Sequence, residues 1–529
     1  MARGRMLAAA CAAATSGVLA VLATPGESQA LFAASFFVLV PLLAAIDGAG
    51  VRHAFVLGHV TGMVAIAWGF SWISTLLERY AGLPGPAAAV VLLLFAAAFA
   101  LQFSIPAAAF AYLRRRSGCS ALACFPAAFA LTSVLLPTIF PLDLAIVWAE
   151  HPRWIQLADV GGVTLVTFVV VSIHAGIYDT LRAAARRRVR EALVRSAATV
   201  LVAGAVAGYG TYRMHAIDEA LSDARRVRFG LVQGNMAIEE VFAPGGAEAI
   251  LRKHQRASAD LEREGAEILV WGETAYPFGP WLGRDRTEDL PPSHPYRIRR
   301  GFSRPLVVGY VDEAPGDPFP WNTARVLHED GRFGDRYDKV YLLMFGEYVP
   351  LVDPEWFQSM FPTASHLHRG TGPAVLRVSG LRAGPLICYE DVLEGYVREV
   401  ADLGVDVFVN LTNDAWFGKG REPHEHLALA VFRTVEHRRA MVRAVTTGVS
   451  AHIDPVGRIV ARTRVTDPAV EGPRPADTLL ADVAVVPAGT LETFYARWPF
   501  AAPVGYVLLL VLSARRRRSR RSPDGDTPT

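Results

Sequence analysis

Apolar residues are distributed along this chain in two different ways. Up to about residue 213, Ala, Val, Leu and Phe run almost unbroken, and charges come only in short clusters. From 226 to about 490, Asp, Glu, Arg and His are scattered throughout, as in an ordinary water-soluble domain. A last apolar stretch begins near Trp498 and leads into a basic tail. A bilayer core needs about 20 mostly apolar residues per helix. Eight segments qualify or come close, near 6–23, 30–46, 54–76, 86–112, 119–140, 158–181, 194–213 and 498–513. The pattern predicts a bundle of seven transmembrane helices over 1–213, a globular domain over 226–490, a further transmembrane helix at 498–513 and a basic tail at 514–529.

Within the globular part, Val227–Val232, Ile268–Trp271, Pro305–Val311, Pro385–Cys388 and Val405–Asn410 read as buried strands of near-continuous apolar character. Residues 246–265, 391–403 and 424–443 have helical spacing. The stretches 322–330 and 452–462 read as hairpin arms. The expected class is a layered α/β domain carried by a polytopic α-helical membrane bundle.

Charge adds an orientation. A net +3 gives no reason to expect a nucleic-acid partner. The arginines sit in runs beside apolar spans, at 114–116, 186–190 and 515–521, where they act as topogenic signals. With the N-terminus inside, an even count of eight spans puts all three runs in the cytoplasm and residues 214 to about 497 outside it. Of four cysteines, only Cys388 lies in the globular domain. A lone thiol there is either inert core or a reactive group.

The candidate chemistry lies at strand ends. Cys388-Tyr389-Glu390 follows a strand and precedes a helical stretch, a setting that can stabilise a thiolate or an oxyanion. Glu273 follows the strand ending in Trp271. Lys339 precedes Phe345-Gly346-Glu347-Tyr348-Val349-Pro350. His424-Glu425-His426 is read as the start of a surface helix rather than a metal site, because His residues at i and i+2 do not share a helix face.

A carboxylate, a lysine and a cysteine in that order resemble the Glu-Lys-Cys triad of the carbon–nitrogen hydrolase (nitrilase) superfamily. Phe345–Pro350, Cys388-Tyr389-Glu390, Asn413-Asp414-Ala415-Trp416-Phe417-Gly418, Gln233-Gly234-Asn235 and Trp321-Asn322-Thr323 together resemble its apolipoprotein N-acyltransferase family. The resemblance implies a nitrilase-like αββα sandwich and catalysis by Glu273, Lys339 and Cys388. It implies substrate contacts at Glu347, Tyr389, Glu390, Trp416, Phe417 and Asn322. Two departures stand out: Gly272 where the family usually has Pro before the triad Glu, and Tyr341-Leu342-Leu343-Met344 where it usually has His-Leu-Val-Pro.

The implied reaction moves an acyl chain from a phospholipid, through a Cys388 thioester, onto the N-terminal amine of a diacylglyceryl-modified apolipoprotein. It needs no cofactor and no metal, and implies a monomer of the inner membrane surrounded by lipid, with its catalytic domain on the periplasmic side. Trp416-Phe417 and Leu342–Phe345 are candidate lipid-facing residues, with core packing as the alternative. Two other function classes are open: a membrane-tethered amidase acting on a small C–N substrate, and a transporter with a sensing domain. The near absence of ionisable residues at mid-span argues against the transporter.

Overall fold

Near-continuous apolar sequence gives long helices over the first 220 residues of the computed structural model, which describes residues 2–26, 31–350, 352–353, 356 and 366–515. The basic tail beyond Arg515 lies outside the described residues. Five helices are long and apolar enough to cross a bilayer: Gly4–Ala23, Val51–Gly69, Gly85–Ser117, Ala158–Ala185 and Val189–Ala220. Three shorter apolar stretches, Phe32–Ala45, Ala121–Leu135 and Ala501–Arg515, coincide with the remaining expected segments. The segment expected at 54–76 is interrupted. Its helix ends at Gly69, and a separate short helix, Trp72–Tyr80, carries Glu78 and Arg79 on a more polar sequence. Ala158–Ala185 is broken at Gly161-Gly162. Gly162 has φ 69°, and a Cβ there would stand 2.6 Å from the Tyr495 ring, so the kink and the close packing both depend on glycine.

The α/β part contains two six-stranded sheets, in the orders β12-β1-β2-β3-β4-β5 and β11-β10-β9-β8-β7-β6. The first comprises β1 (Arg225–Gln233), β2 (Ile268–Trp271), β3 (Leu306–Asp312), β4 (Trp321–Leu327), β5 (Phe333–Asp338) and β12 (Asp477–Val485). The second comprises β6 (Leu376–Val378), β7 (Leu381–Ile387), β8 (Val407–Thr412), β9 (Met441–Val445), β10 (Ala451–Ile453) and β11 (Ile459–Arg462). Each sheet has a parallel centre, β1-β2-β3 or β7-β8-β9, and antiparallel flanks. The parallel strands are buried on both faces, which is why their sequences read as unbroken apolar runs. The helix Gly246–Arg263 covers the first sheet, Glu394–Asp402 covers the second, and Glu422–His437 packs on Glu394–Asp402 and on the bundle helix Ala158–Ala185.

The helix expected over 424–443 ends earlier. Arg438 takes a left-handed φ of 50°, and the chain turns into β9. The Arg438 guanidinium is buried and donates to Asp159 at 2.6 Å, across the boundary with the bundle. Glu436 reaches the Val163 N–H at 2.8 Å, and Gln156 donates to the Val456 carbonyl at 2.8 Å. One apolar cluster runs from Phe125 and Trp148 of the bundle to Phe408 and Val442 of the second sheet. Bundle and sandwich therefore share a core.

Candidate active site

Glu273 follows the C-terminal end of β2, Lys339 follows β5 and Cys388 follows β7. In a sandwich with parallel sheet centres, these strand ends bring residues far apart in sequence to one place. Glu273 is 6% exposed, and its Oε1 accepts from Asn322 Nδ2 at 2.7 Å and lies 3.5 Å from Lys339 Nζ. Lys339 is 1% exposed and donates to Glu347 Oε1 at 2.7 Å. Glu347 is held in turn by the Leu343 N–H at 2.7 Å and by Asn322 Nδ2 at 3.4 Å. Lys339 thus lies between two carboxylates, with Asn322 bridging both.

Cys388 has a left-handed φ of 52° at the junction of β7 and the short turn Cys388–Val392. That conformation is rare for a residue with a Cβ and marks a sharply presented side chain. No long helix starts at the cysteine; the next one begins at Glu394. Burial, and then the Glu273 charge, push the Cys388 thiol well above its ordinary range, while Lys339 opposes them. Burial likewise raises Glu273, against the pull of Lys339 and with help from Glu347. Burial works against the Lys339 cation, but Glu347 and Glu273 outweigh it and hold the ammonium charged. The resting arrangement is a neutral thiol, a basic carboxylate and a fixed cation, which suits nucleophilic attack with general-base help.

Gly272 has a local reason. The two sheets approach so closely here that a Cβ would lie 2.6 Å from the Thr446 N and 2.7 Å from its Oγ1. Thr446 Oγ1 donates to the Glu273 carbonyl at 2.6 Å, fixing the backbone behind the carboxylate.

The residues expected to touch substrate fall into different places. Tyr389 lines an apolar cavity together with Cys388, and its hydroxyl donates to the Ile139 carbonyl of the bundle. Phe417 lines the same cavity and packs edge-on against Trp72 at 4.9 Å. Trp416 is outside that lining and packs on Tyr80 at 4.8 Å. Leu343 lines the cavity, Leu342 is buried and Phe345 is exposed. Asn322 is buried, with its amide group engaged by Glu273.

Glu390 departs most from expectation, because it has no exposed surface with which to meet a substrate. Its Oε1 accepts from Val340 N at 2.7 Å, Tyr341 N at 3.0 Å and the Tyr337 hydroxyl at 2.7 Å; its Oε2 accepts from Ile387 N at 2.8 Å. Burial pushes this carboxyl up to about 7 against those donors. It ties the segment after Lys339 to the residue before Cys388. Sequence reasoning missed this role, because nothing local to Glu390 names its partners.

His426 also departs from expectation. It is buried, not on a surface helix start, and lies between Asp391 at 2.9 Å and Asp414 at 3.1 Å. Arg443 pairs with the same two aspartates. Ligand atoms of Asp414, Glu422 and His426 converge within 4.8 Å of one another, but His426 and Asp414 are already engaged in these ion pairs. The cluster anchors the turn after Cys388 through Asp391.

Ala65, Phe103 and Phe129 of the bundle line the same cavity as Cys388. The arrangement sets the Cys388 thiol beside an apolar cavity.

Comparison with known proteins agrees with both parts of the chain. Residues 228–468 match the carbon-nitrogen hydrolase family, and residues 16–176 match the apolipoprotein N-acyltransferase N-terminal domain. An apolipoprotein N-acyltransferase of Geobacter metallireducens is 30% identical over 528 residues, covering 95% of this chain and 94% of its own. The enzyme of that name from Bdellovibrio bacteriovorus is 30% identical over 79% of each chain. That of Bradyrhizobium diazoefficiens is 30% identical over 70% of this chain and 67% of its own. With both parts matched in order and one relative aligned over nearly its whole length, this chain belongs to the apolipoprotein N-acyltransferase family.

Proposed function

We propose that the protein transfers a fatty acyl chain from a phospholipid to the N-terminal amine of diacylglyceryl-modified apolipoproteins, through a thioester on Cys388. The observation that carries this reading is the apolar cavity that runs from Cys388 into the bundle. An amidase for small polar substrates has no use for such a cavity, and this weighs against that alternative. An acyl chain lodged there keeps the burial it had in the bilayer, about 0.8 kcal/mol per methylene.

In the first half-reaction Glu273 takes the Cys388 proton as the sulfur attacks the ester carbonyl. Lys339 stabilises the oxyanion, and the C–O bond breaks as Glu273 returns the proton to the departing alkoxide. In the second, the lipoprotein amine attacks the thioester carbonyl, Glu273 accepts the amine proton, and the C–S bond breaks. The sulfur regains its proton from Glu273. Glu347 fixes the ammonium, and Glu390 fixes the loop that carries it.

The eight-span arrangement, the bundle, sandwich and C-terminal anchor as separate segments, the inner-membrane location, the periplasmic face of the sandwich and the monomeric state belong to the same proposal. It is supported by the basic runs and by the three shorter apolar helices. The test is incubation of purified protein with labelled phospholipid. A hydroxylamine-sensitive acyl label is expected on the wild type and absent from Cys388→Ala and Glu273→Ala. Label on Cys388→Ala would end the assignment.

A further inference from the structure

The cavity at Cys388 carries a carboxyl that the acyl-transfer scheme leaves without a task. Glu422 opens the helix Glu422–His437, is 7% exposed, and lines the cavity with Cys388, Tyr389 and Phe417. Its one ion-pair contact among the described residues is long, with His426 at 3.5 Å. His426 is opposed by burial and by Arg443, but Asp391 and Asp414 outweigh them and hold it protonated, at about 10. It donates from Nε2 to Asp391 at 2.9 Å and from Nδ1 to Asp414 at 3.1 Å. Arg443 donates from one nitrogen to Asp391 and from another to Asp414 at 3.2 Å. Two cations meet two carboxylates through these four hydrogen bonds, and the buried Arg443 Nε has no partner among the described residues.

Glu422 is the third carboxyl of this group. Its Oε1 lies 3.5 Å from the His426 nitrogen already given to Asp414. Its Oε2 is buried and has no hydrogen-bond partner among the described residues. Burial, then Asp414, push this carboxyl well above the usual range, against the pull of His426 and Arg443. With both cations already shared between Asp391 and Asp414, burial prevails and Glu422 keeps its proton. Nearby Glu425 differs, since Arg421 donates to it at 3.3 Å.

A neutral carboxyl carries an O–H donor. Leaving that donor unanswered in an apolar cavity is costly, and a leucine of similar size would avoid the cost. A glycerolipid whose chain fills the cavity brings few polar features to it, and its ester carbonyl is an acceptor. We infer that Glu422 is a lipid-binding residue whose Oε2 hydroxyl donates a hydrogen bond to an ester carbonyl of the glycerolipid seated at Cys388. The inference rests on the acyl-transfer reading above. Donor phospholipid and diacylglyceryl acceptor both carry such an ester, and the two half-reactions tell them apart.

The test uses full-length Glu422→Leu and Glu422→Gln with phosphatidylethanolamine as donor and a diacylglyceryl-cysteine peptide as acceptor. Acyl-enzyme formation and transfer to the peptide are measured separately, beside Tm. Glu422→Leu should raise KM for one lipid about three- to tenfold, the loss of one hydrogen bond, with kcat little changed and Tm at or above wild type. Glu422→Gln keeps a neutral donor and should stay within about twofold of wild type. A rise confined to phospholipid assigns the contact to the donor, and one confined to the peptide assigns it to the acceptor. Unchanged KM for both lipids in Glu422→Leu overturns the inference. So does Glu422→Gln being as impaired as Glu422→Leu, or a fall in Tm that accounts for the loss in both. Acyl label on Cys388→Ala would instead remove the underlying reading, whatever Glu422 does.

Discussion

Replacing Glu390 by Gln should slow acyl-enzyme formation although Glu390 cannot reach a substrate. Three backbone N–H groups, of Val340, Tyr341 and the buried Ile387, donate to its two oxygens. Glutamine offers one acceptor oxygen. If that oxygen keeps the Val340 and Tyr341 bonds, the amide nitrogen faces the Ile387 N–H, donor against donor. One buried donor then loses its partner, at a cost of about 1–3 kcal/mol. Ile387 immediately precedes Cys388, so part of that cost should appear as displacement of the nucleophile. A share of about 1.4 kcal/mol at the transition state is a tenfold loss of rate. Glu390→Ala orphans all three donors, roughly 3–9 kcal/mol, comparable with the whole stability of many domains, and should fail to fold well. The assay is single-turnover uptake of labelled acyl chain by detergent-solubilised protein, with Tm measured in parallel. Glu390→Gln with wild-type rate and wild-type Tm would refute the bridging role.

Three other outcomes are expected. Glu347→Gln removes a negative charge that raises Glu273 and frees Lys339 to lower it further. The base works only when deprotonated, so activity is lost as pH falls through its pKa, and the acid limb of acyl-enzyme formation should move to lower pH; a limb that stays or rises contradicts the assignment. Gly272→Ala should cost about 1–3 kcal/mol of stability through overpacking against Thr446, and an unchanged Tm would show that the sheets can part. A reporter active only outside the cytoplasm should work when fused after residue 300 and be silent at residue 116 or 188; silence at 300 reverses the proposed orientation.

Much of the candidate site was legible because parallel strands buried on both faces print unbroken apolar words, and the candidate catalytic groups sit just past them. Ile268–Trp271 before Glu273 and Pro385–Ile387 before Cys388 are such words. Hydropathy located the apolar segments for the same kind of reason, since length and composition are local properties. What escaped is what depends on distant partners. Glu390 takes three of its donors from residues 337–341, and His426 finds its acceptors at 391 and 414. The i, i+2 argument correctly found no shared helix face for His424 and His426, yet it says nothing of what packs against the helix. The end of that helix was missed because Arg438 does not announce a left-handed turn; its conformation is held by Asp159, 279 residues earlier.

The cavity wall contributed by the bundle has a consequence for the protein as a unit of inheritance and engineering. Cys388, Leu343 and Phe417 come from the sandwich, while Ala65, Phe103 and Phe129 come from the apolar N-terminal helices. Neither half holds a complete mould for the lipid. A sandwich expressed alone would open that mould to water and present Phe417 and its neighbours as a sticky surface. A chimera joining this sandwich to another member's bundle would meet a wall shaped for a different partner, so substitutions facing the slot should be inherited in matched sets across the two halves.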